Sequence, residues 1–438
     1  MKLDNKHTVL IGFAFLSICA FWQMYDSLVP LMLTNTFHIN EVFSGAIMAA
    51  DNVLALFLLP LFGSLSDKCD SRLGRRRPFI LFGTLAAVVL MMGLPIISDS
   101  YRAAPTGGKL AGFIAVLGLL LVAMGTYRSP AVALMPDVTP KPLRSKANAV
   151  INLMGAVGGI LYLLVTTFLY TDQEKDSSFL PLFAIVAGIM LAALIVMMLL
   201  VDEPKLAALQ KKYELAHPEE NLAEATESGE ALPREVKKSL AFLLCSIALW
   251  FIGYNGITTW FTTYAQNVWN MTLGDASTCL TVATAGAIVS YIPVGLVASR
   301  VGRRKTIRFG TLLLAGSFAV GFVYTLFASH FCWLLYIPFA LVGVAWASIN
   351  VNSLPMVVEM CKGSEVGKFT GLYYTFSMSA QIVTPILAGA LLRYVSYKAL
   401  FPYAAIFVFG SFITMGFVRH GDNRVEAKRG LEAFDTEG

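Results

Sequence analysis

Charge is scarce in this chain of 438 residues. Only 14% are Asp, Glu, Lys or Arg, against roughly a quarter in a soluble globular protein. Histidine is scarcer. The five (His7, His38, His217, His330, His420) lie in loops or at the ends of apolar runs, which excludes a membrane metalloenzyme built on clustered His. Six cysteines (Cys19, Cys69, Cys245, Cys279, Cys332, Cys361) are scattered, with neither paired metal-ligand spacing nor a disulfide framework. What is plentiful is apolar. Hydrophobic residues make up 56% of the chain, in runs of about 20, the length that crosses a bilayer. That pattern excludes a soluble enzyme, a nucleic-acid-binding protein and a disordered scaffold. The net charge of +5 is no sign of a nucleic-acid partner, because the basic residues sit in short loops between apolar runs.

Runs and breakers place twelve transmembrane helices: 8–36, 42–65, 79–98, 110–135, 147–170, 179–201, 238–266, 276–298, 306–328, 332–358, 368–392 and 397–418. The expectation is an all-α integral membrane protein of two pseudo-symmetric six-helix bundles. They cover 1–201 and 238–418, with a linker at 202–237 and a tail at 419–438. The first run is too long for a signal-peptide core and is expected to stay in the protein. Of the 33 Lys and Arg, only Arg102, Lys109, Lys175, Arg393 and Lys398 fall in the loops after odd-numbered spans, and Arg128 lies inside a span. The rest mark the cytoplasmic side, so both termini are expected there, in a cell membrane. The linker is rich in Glu (Glu214, Glu219, Glu220, Glu224, Glu227, Glu230) and reads mainly as solvated, with Lys205–Ala216 a possible surface helix.

The two halves repeat. Span 2 ends in Gly63-Ser-Leu-Ser-Asp67-Lys-Cys-Asp-Ser-Arg72-Leu-Gly74-Arg75-Arg76-Arg77-Pro78. Span 8 ends in Gly295-Leu-Val-Ala-Ser299-Arg300-Val-Gly302-Arg303-Arg304-Lys305, a shorter copy with Ser299 in place of Asp67. Superposing Arg128 of span 4 on Asn350 of span 10 also brings Asp137 onto Glu359, and Tyr25-Asp26 of span 1 corresponds to Tyr254-Asn255 of span 7. Two six-helix halves with basic turns after spans 2 and 8 resemble the major facilitator superfamily. The long turn ending Gly74-Arg-Arg-Arg-Pro-Phe-Ile80 is similar to that of the sucrose–proton symporter branch, next to the glycoside–cation symporters. The chain departs from the plant sucrose carriers at Val132, where they place an Arg close to the Asp that ends span 4.

Only Asp26 and Asp51 are acids well inside spans. A charge there is costly and is usually partnered or functional. At about 1.5 Å per residue, Asp26, Asp51 and Arg128 lie roughly 15, 14 and 12 Å from their span ends, near the midplane of a core about 30 Å thick. They can meet only if spans 1, 2 and 4 are neighbours, as the resemblance implies. A carboxylate in an apolar cavity is pushed towards protonation by desolvation and towards ionisation by an arginine. Proton coupling is therefore expected at Asp26 and Asp51, with Arg128 as counter-ion; a static ion pair locking the three helices is the alternative. Asp51 could instead orient helix 2 near Asn52. The counterparts of Asp26 and Arg128 are Asn255 and Asn350, and amides bind hydroxyls but carry no protons. Coupling is thus assigned to the first half and most sugar contacts to the second.

Sugar sites combine aromatic faces with amides. The candidates are Trp22, Gln23, Tyr25, Asn152, Tyr254, Asn255, Trp346, Asn350, Tyr374 and Gln381. Span 7 adds Trp250, Trp260, Tyr264 and a polar stripe of Asn255, Thr259, Thr262 and Gln266 at helical spacing. Asn148 lies one turn before Asn152. Lipid belt or bundle packing is the competing reading for any single aromatic. Gly155, Gly158, Gly159 and Gly286 read as the surface on which the halves rock. The resemblance implies a cytoplasmic gate of Gly63, Asp67, Arg72, Gly74, Arg75, Arg76, Asp137 and Arg144, with Asp67 pairing Arg75 or Arg76.

The function so implied is secondary active uptake of a sugar, an oligosaccharide or glycoside, by proton-coupled alternating access. It needs no cofactor or metal, and its partners are a small-molecule substrate and the bilayer, with the chain a monomer. Sodium coupling, proton-driven export of small molecules and a transporter-like nutrient sensor are the alternatives. An intramembrane aspartyl protease is disfavoured: Tyr25-Asp26 spells half of its motif, but Thr272-Leu-Gly-Asp275 lacks the first Gly of the other half.

Overall fold

Twelve helices among the described residues are long and apolar enough to cross a membrane, one for each expected span. The computed structural model describes residues 5–140, 143–171, 178–216, 233–360 and 366–422. Most of the Glu-rich linker, Lys175, Cys361, His217 and the tail from 423 lie outside them. The helices are α1 (Asn5–Leu31, prolonged by a π-turn, Met32–Thr36), α2 (Glu41–Asp67), α3 (Arg77–Ala103), α4 (Gly107–Val138), α5 (Arg144–Leu169) and α6 (Leu180–Leu200), then α7 (Glu203–Ala216), α8 (Arg234–Val268), α9 (Leu273–Val301), α10 (Arg303–Phe327), α11 (Tyr336–Val358), α12 (Val366–Tyr394) and α13 (Leu400–Met415).

Several spans run past their hydropathy limits. The backbone must stay hydrogen-bonded through the interface, so a helix continues until a capping residue or a turn stops it. Pro78 opens α3 in its first turn, where a missing N–H costs nothing. Thr272 and Asp275 form a reciprocal capping box at the start of α9. That explains the Thr272–Asp275 run as a helix start.

The chain divides into two units. The first holds 1–40 and 50–220; the second holds 41–49 and 221–438. In the first, α1 packs on α5 and α6, and α3 on α4 and α6. In the second, α8 packs on α12 and α13, and α10 on α11 and α13. These are the same four pairings shifted by six spans, so the repeat extends from motif to packing. The start of α2 belongs to the second unit, where Glu41 accepts a 2.7 Å hydrogen bond from the Tyr397 hydroxyl.

The glycines of span 5 have a different role from the one expected. A Cβ on Gly158 would lie 2.0 Å from the Leu16 carbonyl oxygen, and one on Gly155 would lie 2.9 Å from Cys19 Sγ. A Cβ on Gly286 would lie 2.7 Å from the Ala340 carbonyl oxygen. Gly155 and Gly158 let α1 and α5 touch, and Gly286 does the same for α9 and α11, each within its own unit. Gly159 faces Gln23 at 3.8 Å.

Candidate functional site

In the first unit, Asp26 and Asp51 are half-buried, and so is Arg128. Asp51 and Arg128 are the charged groups that act on Asp26 through space, so the spans do bring the three together. The static ion pair, the alternative reading, is not formed. Among the described residues no carboxylate lies within 4 Å of Arg128; its guanidinium instead sits over the Trp22 ring, 5.6 Å from the centroid. Asp51 is occupied by its neighbour: Asn52 donates to Oδ1 from its backbone N–H at 2.5 Å and its side-chain amide at 2.7 Å. Beside them, the Tyr25 hydroxyl and Trp22 Nε1 are buried without a hydrogen-bond partner among the described residues. Buried polar atoms are nearly always satisfied, so these two are candidates for contact with a ligand or water. Cys19 also lies within the field of Arg128.

In the second unit, Tyr254 and Trp346 stack face to face, 3.7 Å between centroids and 7° apart. Phe251 meets the Trp346 ring edge-on, 5.6 Å between centroids. Next to Tyr254, the Asn255 amide nitrogen is buried without a partner. The Asn350 amide donates to the Tyr291 hydroxyl at 3.4 Å, and Gln381 Nε2 donates to the Ser377 carbonyl one turn back at 3.3 Å. Tyr374 is 39% exposed and meets the Tyr373 ring edge-on. Trp250, Trp260 and Tyr264 are fully buried in the core of this unit, with Thr259 and Thr262 also buried. The three rings pack the bundle, and no binding face of theirs is available.

On the basic side, Arg76 is the centre of the turn after α2. It is nearly buried, bonds Asp137 Oδ2 from Nε at 2.7 Å, and pairs Asp67 through Nη2. Its Nη1 reaches the Gly63 carbonyl at 3.3 Å and the Ser66 hydroxyl. Burial works against the Arg76 charge, and the bonds and charges of Asp137 and Asp67 outweigh it, holding its pKa above the ordinary range. Glu203 then caps the start of α3. Its carboxylate accepts the backbone N–H groups of Arg75 (2.7 Å), Arg76 (3.0 and 3.2 Å) and Arg77 (3.0 Å). Gly74 makes room for it with φ of 107°; a Cβ there would lie 2.4 Å from the Glu203 carboxylate. Arg72 and Arg75 do not join through their side chains, which are exposed. Arg144 closes the end of α4 by donating to the carbonyls of Pro136 (2.9 Å) and Thr139 (3.2 Å). Every one of these partners lies in the first unit.

A model of the Major Facilitator Superfamily matches residues 11–278 and 265–435. The chain belongs to this superfamily. Among similar superfamily proteins is the sucrose transport protein SUC3 of Arabidopsis thaliana, 34% identical over 152 residues. The match takes in 32% of this chain and 25% of that protein, so the chain spans about a quarter of that relative's length. The solved D-xylose-proton symporter superposes with a TM-score of 0.69 at 13% identity, covering 96% of this chain and 99% of the other. A peptide transporter, POT, gives 0.71 at 12% identity, covering 95% of each. At these identities the superpositions establish the superfamily fold and nothing about cargo.

Two residues of this superfamily member escaped the sequence reading. Glu203 falls in the stretch that reads as solvated linker, yet it is buried, as is Gln210 on the same α7 helix. Asp422 was read as tail, yet it accepts from the Arg304 N–H at 3.1 Å, beside Gly302 with φ of 103°. Both acids follow within a few residues of the last apolar run of a half. That position is the signal that could have found them.

Proposed function

We propose that this chain is a proton-coupled secondary transporter that takes up a sugar, an oligosaccharide or glycoside, by alternating access. Superfamily membership supports carriage across a membrane and not an enzymatic activity. The distribution of Lys and Arg supports a cell-membrane orientation with both termini in the cytoplasm. The observation that carries the coupling is the state of the three intramembrane charges. An Asp locked to Arg128 would be a structural strut. Here Arg128 rests on Trp22 and Asp51 is held by Asn52, which leaves Asp26 as the carboxylate best placed to exchange a proton. In the second unit we assign cargo to the stacked rings of Tyr254 and Trp346 and to the Asn255 amide; in the first unit, taken by itself, the Tyr25 hydroxyl and Trp22 Nε1 are the candidates. Rings cover the C–H face of a sugar and amides take its hydroxyls. The sugar-carrying relative and the similarity of the turn after α2 to the sucrose branch favour this cargo over others.

The test is uptake of a radiolabelled sugar panel into proteoliposomes, with a pH gradient and a sodium gradient imposed separately. Accumulation driven by the pH gradient alone is expected. Asp26→Asn should abolish accumulation while leaving counterflow partly intact. Accumulation driven only by sodium, or undiminished in Asp26→Asn, overturns the coupling assignment.

A further inference from the structure

The outer surface of α10 carries a concavity that the transport reading does not use. It encloses about 420 Å³ and is walled by Phe309, Leu312, Gly316 and Val320 of α10 and by Ile337 and Leu341 of α11. That volume is in the usual range for a bound small molecule, about 300–1,000 Å³. It exists because of Gly316, around which a Cβ would meet nothing within 4 Å. The lining is almost wholly apolar, and its one hydroxyl, on Ser317, is spent on the Leu313 carbonyl of its own helix. A sugar or another polar ligand has nothing to bind there. Phe309, Leu312, Val320 and Ile337 are each about half exposed on helices that cross the membrane, so the solvent they meet is lipid.

The same helix face continues to an exposed lysine. Lys305, Phe309, Leu312, Gly316 and Val320 follow helical spacing, and Lys305 stands in the first turn, on the basic side. From Lys305 to Gly316 is about 16 Å at ~1.5 Å per residue. One leaflet of hydrocarbon is about 15 Å deep, half of a ~30 Å core. A charge at the headgroup level and a recess at the depth of a chain end match the two ends of one lipid.

We propose that this groove is a binding site for an anionic phospholipid, its acyl chain seated against Gly316 and its phosphate on Lys305. The site is separate from the cargo and proton residues, so its test does not depend on what the chain carries. The full chain in detergent is titrated with phosphatidylglycerol or with phosphatidylcholine of the same acyl chains, and bound lipid is counted by native mass spectrometry. One phosphatidylglycerol should be retained more tightly than phosphatidylcholine. Lys305→Gln should reduce that preference roughly five-fold, the factor equivalent to about 1 kcal/mol per basic residue at an anionic surface. Gly316→Leu, which fills the recess, should remove the bound lipid of either headgroup, whereas Gly188→Leu, at an equally open position of α6, should not. Equal retention of the two lipids by the unaltered chain, or lipid counts unchanged in both Lys305→Gln and Gly316→Leu, overturns the proposal. So does a dimer that Gly316→Leu disperses, since the groove would then hold a second copy of the chain.

Discussion

The two basic turns solve one problem with different sets of parts among the described residues. After α2, Arg76 holds two acids, Asp67 and Asp137, and Glu203 gathers three N–H groups at the start of α3. After α9, among the described residues, Arg303 pairs with Glu359 and lies in the field of Asp422, and Asp422 accepts the Arg304 N–H at the start of α10. The further arginines also correspond, with Arg77 bonding the Met198 carbonyl and Arg304 the Gly416 carbonyl at 2.7 Å. The second turn reads as degraded because Ser299 replaces Asp67, and Ser299 indeed bonds only the Leu296 carbonyl of its own helix. Exposure shows why that loss is tolerable. Asp67 is 60% exposed, whereas Arg303 and Glu359 are 17% and 16% exposed. A surface ion pair is worth about 0–1 kcal/mol, while stranding one partner of a buried pair costs several. The second half has dropped the weak contact and kept the strong one.

The largest effect expected from breaking this comparison is at Gly74. Alanine there is strained at positive φ and would collide with the carboxylate that caps α3. Gly74→Ala should destabilise the chain by about 3–4 kcal/mol, read as thermal unfolding in detergent. Gly302→Ala should cost less, because a Cβ there sits 2.9 Å from Asp422, an acid with only one N–H to lose. Equal losses at the two glycines would mean that the Glu203 cap adds nothing beyond backbone strain.

Next in size is Glu359→Ala, which takes from Arg303 its hydrogen-bonded acid and leaves it only the more distant charge of Asp422. A loss of about 2–3 kcal/mol is expected, below the range for a fully buried pair because both groups retain some solvent. Adding Arg303→Met should recover part of it. A double variant no more stable than Glu359→Ala would show that the pair acts through packing and not through charge.

The smallest effects are at the position that differs. Asp67→Ala should cost under about 1 kcal/mol, since Arg76 keeps Asp137 and Asp67 is well solvated. Ser299→Ala should stay within about 0.5 kcal/mol. Transport separates stability from gating. If the first turn also controls access to the cytoplasm, Asp67→Ala slows sugar turnover more than it weakens sugar binding, and Ser299→Ala changes neither. Equal transport by both variants would reduce the turn to a brace for α2, α3 and α4.

What the sequence made legible follows from the range of the interaction. The twelve spans were readable because each is set by its own hydropathy. The turn after span 2 placed Asp67 within reach of Arg75 or Arg76, as the resemblance implied, without saying which of the two would take it. Glu203 was not, because it reaches Arg75 across 128 residues of chain, and Asp422 reaches Arg304 across 118. For Asp26, Asp51 and Arg128, counting residues fixed the height of each in the membrane but not the direction it faces. The three do share a region, but Arg128 turned to Trp22 and not to a carboxylate. Small residues in span 5 announced a close helix contact and read as the surface facing span 8 of the other half; Gly155 and Gly158 instead meet α1.

That last contact has a mechanical consequence. With the Leu16 carbonyl against Gly158, α1 and α5 leave no room for a side chain between them, so they cannot slide or roll independently. Asp26 rides on one of them. A helix free to move by itself could change the surroundings of that carboxylate while its neighbours stayed put, and such a carrier would leak. If Asp26 carries the proton, as proposed, it is mounted on a stiff two-helix arm and can change its surroundings only when the whole arm moves.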